Sequence, residues 1–187
     1  NNASHGTRVL SILASEQPGA FVGTVPNATY ILCVTEAPNE YRVEEYNWLF
    51  AAEMADSAGV DVISTSLGYS IFDDPQMSYA NEDMDGNTTV ITMAANIAAS
   101  KGIALINSAG NEGNKSWRLI TAPSDSELVL AVGAVDHNLE KVSFSSFGPT
   151  ADGRIKPDVS AVGQGTALIA ADGSIVFQSG TSFSAPS

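Results

Sequence analysis

The sequence predicts an α/β fold, a mostly parallel sheet with helices on both faces. Two observations predict it. The strand-like segments "VDVISTS" (60–66), "IALINSAG" (103–110) and "LVLAVGAVD" (128–136) are near-continuously apolar rather than alternating. Helical patterns precede the first two of them, each closed by a glycine, Gly59 and Gly102. Strands of that kind belong in a parallel sheet covered on both sides.

Each element follows in order. "HGTRVLSILAS" (5–15) reads as a helix with Val9, Ile12 and Leu13 on one side. "ATYILCVT" (28–35) reads as an apolar strand, within which Cys33 is expected to be a buried thiol. "EYNWLFAAEMADSAG" (45–59) is a helix ending on a C′ glycine, and 60–66 is the next strand. "TTVITMAANIAASKG" (88–102) is another helix, followed by the strands at 103–110 and 128–136. In "TALIAADGSIVFQSG" (166–180), two short strands flank Asp172-Gly173, a tight hairpin turn. The final "SGTSFSAPS" (179–187) gives a small-residue turn, then the first turn of a helix at 183–186.

Composition narrows the function. The chain has 187 residues, 44% of them hydrophobic, which is enough for one domain with a sizeable core. A net charge of −13 argues against nucleic acid, whose phosphates attract basic surfaces. No apolar run reaches the roughly 18 residues of a membrane span. A single cysteine excludes an internal disulfide and any cysteine-rich metal site. The acidic residues of 36–61 read as a solvated helix face. The long loop 68–87 carries Asp73, Asp74, Glu82, Asp83 and Asp85, and such a loop suits calcium, although "DMDGN" lacks the full EF-hand spacing. A plain surface loop is the favoured reading there, and no metal ligand is assigned.

Chemistry in an open parallel sheet gathers at the carboxyl ends of its strands. "STSLGY" (64–69), "NSAGNEG" (107–113) and "SGTSFSAP" (179–186) fall there, and "NASHGT" (2–7) precedes a helix that faces the same crevice. Ser182 sits between a turn and a helix start, which suits either an N-cap or a nucleophile beside its own backbone N–H. His5 is one of two histidines and suits either a structural role or the base a serine needs; His137 reads as a surface-turn residue. Asn111, between Gly110 and Glu112-Gly113, suits either a turn or an amide donor to a developing oxyanion.

Taken in order, His5-Gly6-Thr7, Ser66-Leu67-Gly68, Ala109-Gly110-Asn111-Glu112-Gly113 and Gly180-Thr181-Ser182 with Ala185-Pro186 resemble the subtilisin-like serine proteases, peptidase family S8. "LVLAVGAVD", "FSSFGP" and "KPDVSAVG" resemble that family's connecting segments. The resemblance covers nearly all of residues 1–187 and implies a three-layer catalytic domain hydrolysing polypeptide. Ser182 would be the nucleophile, His5 the base, and Asn111 with the Ser182 N–H the oxyanion donors. Ser66, Leu67 and Gly68 would form one wall of the substrate cleft and Ala109 and Gly110 the other. Glu112 would lie near the P1 floor, favouring basic or polar side chains. The family is mostly secreted, so a secreted or cell-envelope location is implied.

Departures from the family pattern touch packing rather than catalytic groups: Leu10-Ser11, Val162, Phe183-Ser184 and Ser187. The family order places an Asp about 30 residues before the His. His5 is the fifth residue, and the eleven aspartates all follow it, so the third triad position is assigned to no residue here. The resemblance therefore implies a domain incomplete at both ends, without the Asp strand and the helix after Ser182, and nearly inactive alone. Apolar surface so exposed would suit an element-swapped homodimer or association with the missing parts. The alternatives are a non-catalytic peptide-binding or scaffold domain and, less suited to the Ser66–Gly68 edge, an esterase.

Overall fold

A computed structural model describes residues 4–187; Asn1, Asn2 and Ala3, which begin the "NASHGT" stretch, lie outside the described residues. At its centre four parallel strands pair in the order β3 (Val62–Thr65), β4 (Ala104–Ser108), β5 (Val129–Val135) and β6 (Val159–Val162). The register sets Thr65 opposite Asn107, Ser108 opposite Val132 and Val135 opposite Val162. The carboxyl ends of β3 and β4 therefore lie side by side.

Two helices cover one face. α2 (Val43–Ala58) opens with Glu44 and Glu45 in its first turn, where carboxylates complement the helix dipole. It ends on Gly59, whose φ of 76° is the left-handed conformation a glycine adopts without strain. α3 (Val90–Ser100) is capped by the Thr89 hydroxyl, which accepts the Thr92 N–H at 3.2 Å. Trp48 and Ala52 of α2 and Ile91, Ala95 and Ala98 of α3 pack with Leu105 and Val129 into the main core.

The opposite face carries α4 (Thr181–Ser184). Val129 points to the main core, so Ala134, an odd number of residues along β5, points away from it. A Cβ built on Gly163 would meet both Ala134 and Ser184, which puts α4 on the Ala134 side. α1 (His5–Ala14) and the hairpin β7 (Thr166–Ile169) with β8 (Ile175–Gln178) join it through a second cluster of Ile12, Leu168 and Phe183. A further small hairpin, β1 (Glu16–Gln17) with β2 (Phe21–Val22), follows α1. The predicted fold class, with helices on both faces and a C-terminal hairpin, is the one observed.

Four expectations need correction. The acidic residues of 36–61 are not a solvated helix face throughout, since Glu44 and Glu45 of α2 are fully buried. Residues 28–35 form no ladder with any described strand, and Ile31, Leu32 and Val34 are exposed, Val34 at 95%. An apolar run predicts a need for burial; it does not supply the neighbour that provides it. Cys33 is accordingly exposed, not buried. The last helix begins at Thr181, two residues before the expected start, with Pro186 beyond its end. β6, β1 and β2 were not anticipated as strands.

The core makes a direct prediction. Ile91 is fully buried, so Ile91→Ala is expected to cost about 2–5 kcal/mol of stability. Phe177, 71% exposed on the hairpin, should tolerate Ser within about 0.5 kcal/mol. Denaturant midpoints of the two variants measure the contrast.

Candidate active site

Two adjoining cavities open at the carboxyl ends of β3 and β4. The first, about 360 Å³, is a cleft between Ser66, Leu67, Gly68 and Ser70 on one side and Gly110, Asn111 and Glu112 on the other. The second, about 400 Å³, is lined by His5, Asn111, Gly180, Ser182 and Phe183. Asn111 and Ser182 border both. His5, Asn111 and Ser182, 177 residues apart at the extremes, thus converge on one place.

Thr181 arranges the centre. Fully buried, it accepts the Gly110 N–H on its hydroxyl at 3.2 Å. Its backbone N–H and its hydroxyl both donate to Asn111 Oδ1, at 2.9 and 3.1 Å. With its oxygen held from two sides, the Asn111 amide presents its NH₂ away from Thr181, toward the cavities. Gly110 has φ 105°, and a Cβ there would lie 2.9 Å from the Thr121 and Ser146 hydroxyls, so glycine alone fits.

Ser66 and Ser182 are bonded reciprocally. Ser66 Oγ donates to the Ser182 carbonyl at 2.8 Å, and Ser182 Oγ donates to the Ser66 carbonyl at 3.3 Å. His5 begins α1, its ring 6.0 Å from the Phe183 ring. Burial first, and then the Arg8 charge, hold the His5 imidazole below its ordinary 6.5. It is therefore neutral at pH 7, the form able to accept a proton.

Other expected site residues separate. Leu67 and Gly68 line the cleft, but Ala109 is wholly buried and backs the wall without facing it. Glu112 lines the cleft with its carboxylate paired to Lys115 at 2.8 Å, so its charge is largely countered there. His137 is exposed and borders neither cavity. Four of the five acids of loop 68–87 serve their own turns and neighbours. Asp74, Asp83 and Asp85 accept the backbone N–H groups of Gln76, Ala80 and Asn87, and Asp73 that of Glu40. Among the described residues, the only cluster able to offer three metal-ligating groups together is Glu36, Glu40 and Glu44.

Sequence reasoning missed Thr181 as the anchor of Asn111, Thr121 in the cleft, and Glu40 at its rim. The hydroxyl of "GTS" was the available signal for Thr181. Nothing local marks Thr121 or Glu40.

A serine, an imidazole and a fixed amide donor at the carboxyl ends of a parallel sheet form the side-chain set of serine acyl-transfer enzymes. Comparison with known proteins narrows the class. Residues 1–187 match the Subtilase family, and the chain belongs to that family. It is 31% identical over 185 residues to "Thermophilic serine proteinase" of Bacillus sp. (strain AK1), covering 98% of this chain and 40% of that protein. Subtilisin E of Bacillus subtilis (strain 168) is 31% identical over 156 residues, 81% of this chain and 36% of its own. The chain thus spans less than half the length of these relatives. Among solved structures, the prenylagaramide maturation protease PagA superposes with a TM-score of 0.76 at 25% identity, over 98% of this chain and 60% of that one. Sphericase gives 0.71 at 25% identity, over 98% and 60%.

The imidazole can be tested directly. NMR titration of His5 should give a midpoint below 6.5, and Arg8→Gln should raise it without restoring 6.5, since burial is the larger cause. The native state then binds fewer protons than the unfolded chain. Stability from this group is complete above 6.5 and is lost as pH falls through the lower native value.

Proposed function

We propose that the protein is a subtilisin-like serine endopeptidase. The observation that carries this reading is the convergence of His5, Asn111 and Ser182 on one cavity. Ser182 Oγ leaves the Ser66 carbonyl, attacks the carbonyl carbon of a peptide bond and gives its proton to His5. The resulting oxyanion takes hydrogen bonds from the Asn111 amide and the Ser182 N–H. His5 returns the proton to the leaving nitrogen as the C–N bond breaks, which leaves an ester on Ser182. Water, deprotonated by His5, then hydrolyses the ester and restores the serine.

Ser66, Leu67 and Gly68 offer an edge along which an extended peptide can lie, opposite Gly110. The family resemblance supports a secreted or cell-envelope location, and among the described residues no helix is long and apolar enough to cross a membrane. Among the described residues the charge acting on His5 is that of Arg8, and no carboxylate orients the ring. In subtilisin, loss of the triad Asp alone costs about 3 × 10⁴ in kcat, which is the scale of slowing to be measured where no carboxylate orients His5.

Intact-mass measurement after exposure to a fluorophosphonate tests the nucleophile. One adduct, absent in Ser182→Ala, is the expected result for the protein carrying this chain. No adduct, while a control serine hydrolase labels, would replace the protease reading with a peptide-binding one. Asn111→Ala should lower kcat by about 10²–10³ with little change in KM, the loss known for the side-chain oxyanion donor of subtilisin.

A further inference from the structure

A buried amide stands behind one wall of the cleft. Asn107 of β4 is opposite Thr65 in the register, and Thr65 Oγ1 accepts the indole N–H of Trp48 in α2 at 3.2 Å. Asn107 therefore points to the α2 side of the sheet, away from α4 and Ser182. It is 1% exposed. Its Nδ2 donates to the Leu67 carbonyl at 3.1 Å, to the Ser108 carbonyl at 2.8 Å and to Ser124 Oγ at 2.9 Å. Two of these acceptors are carbonyls, and the Ser124 hydroxyl gives its own proton to the Ser108 carbonyl at 2.9 Å. Only the nitrogen of the amide can face such a set.

This amide destabilises its own surroundings. Asn107 Oδ1 is buried and has no partner among the described residues, a cost that an apolar residue would avoid. What an apolar residue could not do is hold Leu67. With the Ser108 hydroxyl assisting at 3.5 Å, Asn107 turns the Leu67 carbonyl inward, toward β4. The peptide bond that follows is trans, since every described cis bond precedes a proline. Its N–H, that of Gly68, is directed the opposite way, outward from β4. β3 ends the four-stranded sheet, so this outer side is an unpaired edge among the described strands. No described residue accepts the Gly68 N–H. Gly68 lines the cleft, and a side chain there would strike the Thr121 hydroxyl.

We propose that Asn107 is a positioning residue for substrate. By holding the Leu67 carbonyl inward, it presents the Gly68 N–H as a donor to a backbone carbonyl of an extended polypeptide. The ligand class follows from the edge, because unpaired backbone groups on a strand are met by another main chain whatever its side chains. Asn107 touches no reacting atom and acts through Leu67 and Gly68. Asn111, Ser182 and His5 are held by other contacts, with Thr181, Ser66 and Phe183. Its effect therefore falls on holding the polypeptide and not on breaking the bond. The inference rests on the peptidase reading for the identity of that polypeptide as substrate.

The test compares the protein carrying this chain with its Asn107→Ala and Asn107→Val variants, on acetyl-tetra-alanine p-nitroanilide and acetyl-alanine p-nitroanilide. In both variants the kcat/KM preference for the longer substrate is expected to fall about three- to tenfold, the worth of one hydrogen bond, and to fall through KM. The rate of fluorophosphonate labelling should stay that of the parent. In a Ser182→Ala background, acetyl-tetra-alanine methylamide should move the Gly68 amide proton downfield in a proton–nitrogen correlation spectrum, a shift that Asn107→Ala diminishes. Three results would overturn the proposal. They are a length preference unchanged in both variants, labelling that falls as far as peptide hydrolysis, or a peptide that leaves the Gly68 amide unmoved. Absence of labelling in the parent would instead remove the peptidase reading, and the Gly68 shift would then decide the role of Asn107 for bound peptide.

Discussion

The site depends on one buried residue. Thr181 joins the turn after β4 to the start of α4, and with three hydrogen bonds it fixes the relation of Gly110, Asn111 and Ser182. Each bond is worth only about 1 kcal/mol to stability. Their larger effect is geometric. An asparagine amide rotates freely about its terminal torsion, and anchoring its oxygen decides where its N–H groups point. The tight approach this requires explains the glycine at 110, where a side chain would strike Thr121 and Ser146.

The parallel register lets such a small hub suffice. β3 and β4 are neighbours and run the same way, so Ser66–Gly68 and Ala109–Asn111 emerge side by side. α4 packs across the same end from the opposite face and brings Ser182 against Ser66. His5 arrives from a separate layer, through packing of α1 on the hairpin and on Phe183. One side of the cleft is thus set by backbone hydrogen bonding and the other by hydrophobic contact. The second is the looser constraint, because dispersion contacts are not directional.

Charge is distributed unevenly around this frame. His5 is held neutral by burial and by Arg8. Glu112 is countered by Lys115, and Asp73, Asp74, Asp83 and Asp85 of loop 68–87 receive backbone N–H groups. Glu36 accepts the Tyr69 hydroxyl and Glu44 the Ala37 N–H, but no described cation pairs with Glu36, Glu40 or Glu44, and the buried Glu44 Oε2 has no partner among the described residues.

The sequence by itself determined the layer architecture, the order of the main elements and the short list His5, Asn111 and Ser182. Those features are local. Apolar periodicity, glycine caps and turn dipeptides act over a few residues, and the motifs can be read in place. Only the tertiary structure decided the rest. It left 28–35 without a partner among the described strands and Cys33 in solvent, moved Ala109 behind the cleft wall, and paired Glu112 with Lys115. It also made Thr181 the anchor of Asn111, 70 residues away, and gathered Glu36, Glu40 and Glu44 around an oxygen without a partner. The physical reason is the same throughout. Whether an apolar run is covered, or a carboxylate has a partner, depends on neighbours that the fold supplies from elsewhere in the chain.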